Sequence, residues 1–463
     1  MDSNDTPGAV GRRDFLKTAA AAGIGLGARG SAAASPMAAG ASASPLAASS
    51  GGTNDLRIAL VGAGQQGMVL LESCQKIPNV RITALCDIWQ EYRQKQASGR
   101  LRVYGYEHTA YVDINEMLAK EKGRLDAAII ATPDFWHADH AVACLKAGLH
   151  VYCEKEMSTN LADARRIVLA ARESGKLLQI GHQRRSNPRY RFAYQKLISE
   201  SNLLGRITTV SGQWNRAKQD FLTIPAKYNM TPATLEKYGF RSMEQFLNWR
   251  WYRGLGGGPI VDLGSHQIDI FNWFLGARPS SVMASGGTDY YNKETHEWYD
   301  TVMAVFEYPT PTGTVRAHYQ TITTNGFGGY FELFLGDQGS LEISESGTRA
   351  KVYRDPNNAP DWGPLVKRGL LVAPKEDPKP ASQPAVVLDV RETAPPPSYA
   401  FPIQSTKLYH QSHLENFFDS IRGRARLNCP GEDGFETAVT VLKVNEAVES
   451  VRKVAFKPSD FEI

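Results

Sequence analysis

The stretch from Leu56 to Asp87, LRIALVGAGQQGMVLLESCQKIPNVRITALCD, leaves a chain few ways to fold. Ile58 to Val61 form an apolar, branched run suited to a buried parallel strand. Gly62-Ala63-Gly64-Gln65-Gln66-Gly67 follows at once, MVLLESCQKI reads as a short helix, and Val80 to Cys86 is a second apolar strand ending on Asp87. Strand, glycine turn, helix, strand and acid in this order are the dinucleotide fingerprint in its structural context. Gly62 makes the tight turn, Gly64 lets the backbone approach a pyrophosphate, and Gly67 lets helix and strand pack closely. The helix N-terminus offers N–H groups and a positive dipole end to the phosphates. Asp87, twenty residues past Gly67, is placed to accept from both adenosine ribose hydroxyls. A carboxylate repels a 2′-phosphate, which favours NAD; Arg93 nearby keeps NADP as the alternative.

The pattern continues through a doubly wound unit. Asp113 begins a capped helix, Leu125 to Ala131 is a strand leading into Thr132-Pro133-Asp134-Phe135-Trp136-His137, and Leu149 to Cys153 leads into Glu154-Lys155-Glu156-Met157. A helix from Asn160 to Glu173 and the strand LLQIG complete it. Alternating strands and helices of these lengths specify a parallel sheet whose ligands sit at the carboxyl ends of its strands. Thr132, Pro133, His137, Glu154 and Lys155 all lie there, beside the six residues of the glycine turn. From Gly181 onward, strands at Ile207–Trp214, Val282–Gly286, Thr301–Tyr308, Thr314–Thr323, Tyr330–Leu335 and Ser340–Ser344 are joined mostly by turns, an α+β pattern. Helical sequence returns at His410–Ile421 and Gly434–Val454, after a proline-dense surface excursion over about 355–404. A length of 463 residues fits this division: a leader and linker over 1–54, an α/β Rossmann domain over 55–180, and a substrate domain over 181–463.

A formal charge of +4, with no basic run interleaved with aromatics, gives no footprint for nucleic acid. The five cysteines form no CxxC pair and read as buried thiols, and no HxxxH spacing suggests a metal. The first fifty residues stand apart. Gly11-Arg12-Arg13-Asp14-Phe15-Leu16-Lys17 precedes TAAAAGIGLGA and an Ala/Ser/Gly-rich run, the form of an export signal. It resembles the twin-arginine type, which moves folded proteins, so export machinery of that type becomes a partner and the periplasm or exterior the destination. The apolar part is short and glycine-rich for a stable membrane span, with an uncleaved anchor as the alternative.

The chemistry is expected around Gly256-Gly257-Gly258-Pro259-Ile260-Val261-Asp262-Leu263-Gly264-Ser265-His266-Gln267-Ile268-Asp269. The glycines hold backbone close to something, and Asp262 and His266, four apart, share one helical face. Oxidation of an alcohol needs a base for the hydroxyl proton, which an imidazole suits; Asp262 orients it or holds a substrate hydroxyl. Gln183, Arg184, Trp214, Asn215, Trp251 and Tyr252 supply the aromatic faces and planar polar groups of a sugar site, with Arg185, Arg216 and Asp269 nearby.

GAGQQG, ATPDFWH, EKEM, GHQRRSNP, GGGPIVDLGSHQID, GDQGSLEI and HLENFFDSI together resemble the Gfo/Idh/MocA family of nicotinamide-dependent sugar oxidoreductases, from Leu56 to the C-terminus. The resemblance implies a large, mostly antiparallel second sheet whose open face makes homodimer or homotetramer contacts. It also implies that Lys155, matching the family's EKP-type motif, stabilises alkoxide character at the reacting oxygen. Glu156 stands where the family has proline, so a cis bond after Lys155 is not expected, since a non-proline cis peptide costs about 2.5–4 kcal/mol. The leading expectation is an exported enzyme moving hydride between a sugar, glycoside or polyol carbinol and a retained NAD. An NAD-dependent hydrolase or lyase working through a transient 3-keto sugar, and a non-catalytic sensor, are the alternatives. Relatives that hydrolyse lack the EKP-type lysine and the DxGxH segment, and a sensor needs no acid–base set.

Overall fold

Ile58, Ala59, Leu60 and Val61 have nowhere to go but the centre of a sheet, and they are completely or almost completely buried there. The computed structural model describes residues 55–374 and 396–463. The twin-arginine stretch and the middle of the proline-dense excursion lie outside those residues.

The first half is a six-stranded parallel sheet in the order β3-β2-β1-β4-β5-β6. Its strands are β1 (Leu56–Val61), β2 (Val80–Cys86), β3 (Thr109–Tyr111), β4 (Ala127–Ile130), β5 (His150–Cys153) and β6 (Leu178–Ile180). Helices α1 (Gln65–Cys74), α2 (Lys95–Val103), α3 (Ile114–Lys120), α4 (His137–Lys146) and α5 (Leu161–Ser174) cover it. Local signals set the boundaries. The Asp113 side chain accepts from the N–H groups of Asn115 and Glu116 to start α3, and Asn160 accepts from Asp163 N to start α5. Gly175, in the left-handed region at φ 64°, ends α5.

The second half is a nine-stranded sheet: β7 (Ile207–Asn215), β8 (Ser281–Gly287), β9 (Thr301–Thr310), β10 (Gly313–Ile322), β11 (Tyr330–Gly336), β12 (Gly339–Ile343), β13 (Ala350–Arg354), β14 (Ser398–Ala400) and β15 (Val454–Ala455). The order is β14-β13-β12-β11-β7-β10-β9-β8-β15, antiparallel except where β7 pairs β10. Alternation decides its faces. Val315, Ala317, Tyr319 and Thr321 of β10 point inward, and Arg316 points out. The inner face packs on α6 (Gly258–Leu275), an eighteen-residue helix buried on nearly every side.

Two features depart from the sequence-derived division. The last helices, α7 (Gln411–Ile421) and α8 (Gly431–Ser450), return to the first half. Leu414, Phe417 and Phe418 of α7 join Leu70, Leu71 and Tyr152 in one core, and Gly434 of α8 lies against Ile180. The flanks of the proline-dense excursion are also not plain surface. Trp362 is 1% exposed, Leu371 and Phe401 are buried, and Ser398–Ala400 adds an edge strand. Large apolar groups anchor both ends because leaving them in water would forfeit about 1.5–3 kcal/mol each.

Candidate active site

The glycine turn between β1 and α1 is built against the sheet on one side and left open on the other. Gly62 has φ 90°, and a Cβ there would lie 2.7 Å from the Ala131 carbonyl. A Cβ on Gly67 would meet the Gly62 carbonyl oxygen at 2.0 Å. Gly64, at the N-terminus of α1, has no atom within 4 Å of that position, and no side chain caps the helix. A tight turn, a close packing contact and an open backbone face beside free N–H groups fit a pyrophosphate. Asp87 closes the turn from below: its Oδ2 accepts from Ala63 N and its Oδ1 from Trp89 N, both at 2.7 Å. Burial pushes its pKa up against those two bonds. Two carboxylate oxygens carry about four acceptor sites, so ribose hydroxyls remain within its capacity.

Gln65 is exposed, whereas Gln66 reaches across the mouth. Its amide donates to Glu154 Oε1 at 3.1 Å and lies 2.9 Å from His410 Nε2 just before α7. The loop after β4 carries Thr132, whose hydroxyl meets His140 Nδ1 at 3.0 Å, and Pro133, which leads into the turn Asp134–Trp136. His137, expected among the ligand groups at the strand ends, is fully buried, with Nδ1 2.8 Å from the Glu156 carbonyl and Nε2 2.8 Å from the Thr132 carbonyl. It ties the loops after β4 and β5 together. Burial pushes it down to about 4, so a neutral ring donates to one carbonyl at a time.

Lys155, after β5, projects onto the first turns of α6. Its ammonium donates to the Asp262 carbonyl at 2.5 Å and to Asp262 Oδ1 at 3.2 Å. Arg250 Nε reaches the same carboxylate oxygen at 3.2 Å. Burial alone would raise the Asp262 carboxyl, but Lys155, Arg250 and Arg216 outweigh it and hold it well below the usual carboxylate range. His266 lies one turn further along, 7% exposed, and its Nδ1 is buried without a partner. The expectation that Asp262 orients His266 therefore gives way: the carboxylate is committed to two cations. Burial, then Lys155, Arg184, His182 and His410, hold the His266 pKa well below the usual histidine range, which keeps the ring neutral. The Lys155–Glu156 peptide is cis, contrary to the expectation drawn from the missing proline. The bonds that hold Glu156 in place are the one from His137 to its carbonyl and the one from Met157 N to its Oε1 at 2.8 Å.

Trp214, at the end of β7, walls the site. Its ring lies 5.4 Å from that of His266 and stacks on Tyr330 at 4.6 Å, its cross-strand partner on β11. Other expected substrate contacts are committed elsewhere. Arg184, 1% exposed, donates to Glu345 at 3.0 Å and Glu332 at 2.5 Å, and its guanidinium sits over the Trp214 ring. Gln183 donates to Glu345, and Arg185 pairs with Asp269 and Asp433. Buried charges need such partners, and the acids that supply them come from distant strands and helices. Asn215 is tied to the Phe327 carbonyl and to Gln320. Trp251 packs on His296 and Tyr291, and buried Tyr252 donates to Glu244 at 3.3 Å.

Three further residues belong to the site, of which Arg250 stands in the run Trp249–Arg253 that the sequence offers as part of an aromatic and polar sugar site. Asp134, pushed up by burial to about 7, senses Arg250, Asp262 and Lys155. Arg250 stands at Asp262, and His182, 1% exposed, has both ring nitrogens unpartnered. The motif ATPDFWH carries the first and GHQRRSNP the last. Finally, the segment between β7 and α6 lies over the nucleotide side. Trp89 donates to the Tyr228 carbonyl and meets Phe246 edge-on at 5.4 Å; Phe135 meets Phe240 and Trp136 donates to the Tyr238 carbonyl. It therefore spans the loops after both β2 and β4, on either side of the glycine turn.

Comparisons with known proteins bear on the family and the fold. Residues 56–182 match the Gfo/Idh/MocA model described as oxidoreductase family, NAD-binding Rossmann fold, and residues 233–456 match its C-terminal alpha/beta domain. A 1,5-anhydro-D-fructose reductase from Ensifer adhaerens is 30% identical over 70% of this chain and 77% of its own. A 4-carboxy-2-hydroxymuconate-6-semialdehyde dehydrogenase from Sphingobium sp. is 33% identical over 31% of this chain and 44% of its own. The chain spans about half the length of the first curated relatives it matches, between 41% and 59%. Among solved structures, an aldose-aldose oxidoreductase from Caulobacter crescentus superposes with a TM-score of 0.63 at 18% identity, over 87% of this chain and all of the other, a likeness of fold.

Proposed function

The chain belongs to the Gfo/Idh/MocA oxidoreductase family, and from that premise we propose that it oxidises or reduces a carbinol of a sugar, glycoside or polyol with a retained NAD. The observation that carries the reading is Lys155 on Asp262 one helical turn from a neutral His266, at the strand ends beside an open glycine turn. A bound nicotinamide supplies the acceptor or donor of hydride. His266 takes the hydroxyl proton in the oxidative direction and returns it in the other. The Lys155 ammonium lies against the same oxygen and stabilises its developing negative charge, while Asp262 fixes that ammonium in place. Trp214 offers its face to the apolar side of a ring. Gly62, Gly64 and Gly67 hold the pyrophosphate, and Asp87 takes the ribose. Similarity to the Ensifer reductase supports a sugar as substrate.

The segment between β7 and α6 supports retention of the cofactor, since its contacts with Trp89, Phe135 and Trp136 bracket the glycine turn from the loops after β2 and β4. The leader with Arg12 and Arg13 supports export to the periplasm or exterior by the twin-arginine route, and replacing both arginines by lysine in a tagged chain tests it. The outward sheet face, with Met283 and Met303 about half exposed, supports a homodimer or homotetramer, read by light scattering.

The decisive experiment uses protein purified without added cofactor. Its absorbance near the reduced nicotinamide band is followed as methyl glycosides and cyclitols are added. Reduction that a keto sugar reverses supports the proposal. Glycoside cleavage with no net change in the nicotinamide moves it to the redox-assisted hydrolase or lyase, and absence of any dinucleotide binding overturns it.

A further inference from the structure

The inner side of His266 poses a question that Asp262 does not answer. A neutral imidazole can act as base at one nitrogen only if the proton sits on the other, and the bond made by that other nitrogen decides this. His266 Nδ1 is buried and has no protein partner. Facing the ring, 6.5 Å away between centroids and perpendicular at 88°, is His182, which follows β6. Both His182 nitrogens are also buried and unpartnered. Three orphaned ring nitrogens on two adjacent histidines is an arrangement that a protein interior ordinarily does not tolerate, because each unmet group costs about 1–3 kcal/mol. The separation is too long for a direct N–H···N bond. It matches one intervening oxygen making a bond of about 2.8 Å to each ring.

We infer that His182 is a positioning residue for His266: through one bridging water it accepts the Nδ1 proton bond of His266 and so keeps Nε2 free to act as the base. This rests on the proposed role of His266. The surroundings suit an acceptor that stays neutral. Burial above all disfavours a charge on His182, and Arg185 and Arg184 from its own stretch and Lys155 from the loop after β5 add to it. Asp269 of α6 works the other way but is already paired with Arg185. His413 of α7 completes the shell, with its ring on the Ile180 carbonyl and the Ser186 hydroxyl, and His410 faces His266 from just before that helix. Burial holds His182 at about 4, so one of its nitrogens keeps a lone pair through the working range.

The test uses the NAD-saturated full chain labelled with 15N-histidine, as wild type, His182→Leu and His182→Gln, with His266→Gln to identify the His266 signals. Wild type is expected to show His266 as the Nδ1–H tautomer, and His182→Leu a mixture of tautomers. With NAD+ and methyl β-D-glucopyranoside or myo-inositol as probes, His182→Leu is expected to lower kcat at least about tenfold with little change in KM, and to move the acidic limb of kcat against pH. His182→Gln, which keeps a polar planar group, recovers part of the loss. Thermal melting and NAD titration of each variant separate these effects from misfolding. Unchanged His266 nitrogen signals and an unchanged pH profile in both variants overturn the inference. If wild type oxidises neither probe, the functional reading fails on its own, and the nitrogen spectra still decide the tautomer claim.

Discussion

Two helices in this protein begin at glycine runs, and they use the same residue type for opposite ends. Around the start of α1, Gly62 is pressed against the Ala131 carbonyl and Gly67 against Gly62, while Gly64 faces open space. Before α6, all three glycines are pressed against protein. A Cβ on Gly256 would lie 2.8 Å from Arg250 backbone, on Gly257 2.6 Å from Val261, and on Gly258, at φ 78°, 2.9 Å from Trp298. The first run makes room for a ligand's phosphates. The second brings Arg250 and Asp262 close enough to meet. In sequence the two look alike; what differs is whether anything already fills the space above the backbone.

The comparison is open to breaking at several points, and the largest effect is expected on turnover. Lys155→Met removes the ammonium that links the two regions and should lower kcat by about 10²–10³ with NAD affinity retained, measured by single-turnover hydride transfer. A variant with normal turnover would show that Asp262, not Lys155, carries the chemistry. Next, Gly67→Ala should cost at least about 3 kcal/mol in urea unfolding, because its Cβ must displace the Gly62 carbonyl rather than a flexible side chain. Gly258→Ala should cost about 1–3 kcal/mol through its positive φ and Trp298, and should impair NAD binding no more than that loss of stability explains. Gly64→Ala is the sharpest contrast: stability within about 0.5–1 kcal/mol of wild type, but NAD binding weakened about tenfold in a calorimetric titration. Equal NAD affinity for Gly64→Ala would remove the distinction between the two runs.

The effect that depends on pH concerns Glu156, beside Lys155. Burial pushes its carboxyl up to about 8, so the folded protein holds a proton that the unfolded chain releases at ordinary carboxylate pH. The resulting stability is complete below the unfolded value and is lost as pH rises through about 8. Glu156→Gln has no such proton to lose. Its unfolding midpoint should gain on wild type between about pH 5 and 8, and parallel midpoints across that range would mean that Glu156 is ionised in the fold.

Sequence periodicity was sufficient for the larger architecture. Apolar runs four to seven residues long between capped helices dictate a parallel sheet, and alternation through β9 and β10 dictates a one-faced sheet, because both patterns follow from where neighbouring side chains point. The glycine turn and the Asp262–His266 pair were readable for the same local reason, a short motif with its own spacing, whereas Lys155 was marked only by its resemblance to the EKP-type motif. Partnership was not legible. Arg184 and Arg185 read as ligand groups until Glu332, Glu345, Asp269 and Asp433 were brought to them from other elements. His137 read as a ligand group at a strand end until two loop carbonyls enclosed it. A charge or a ring nitrogen states what it can bond, and the sequence of this protein determined that much. Which groups remain for a ligand was decided by tertiary structure alone, since it depends on what residues a hundred or more positions away have already satisfied.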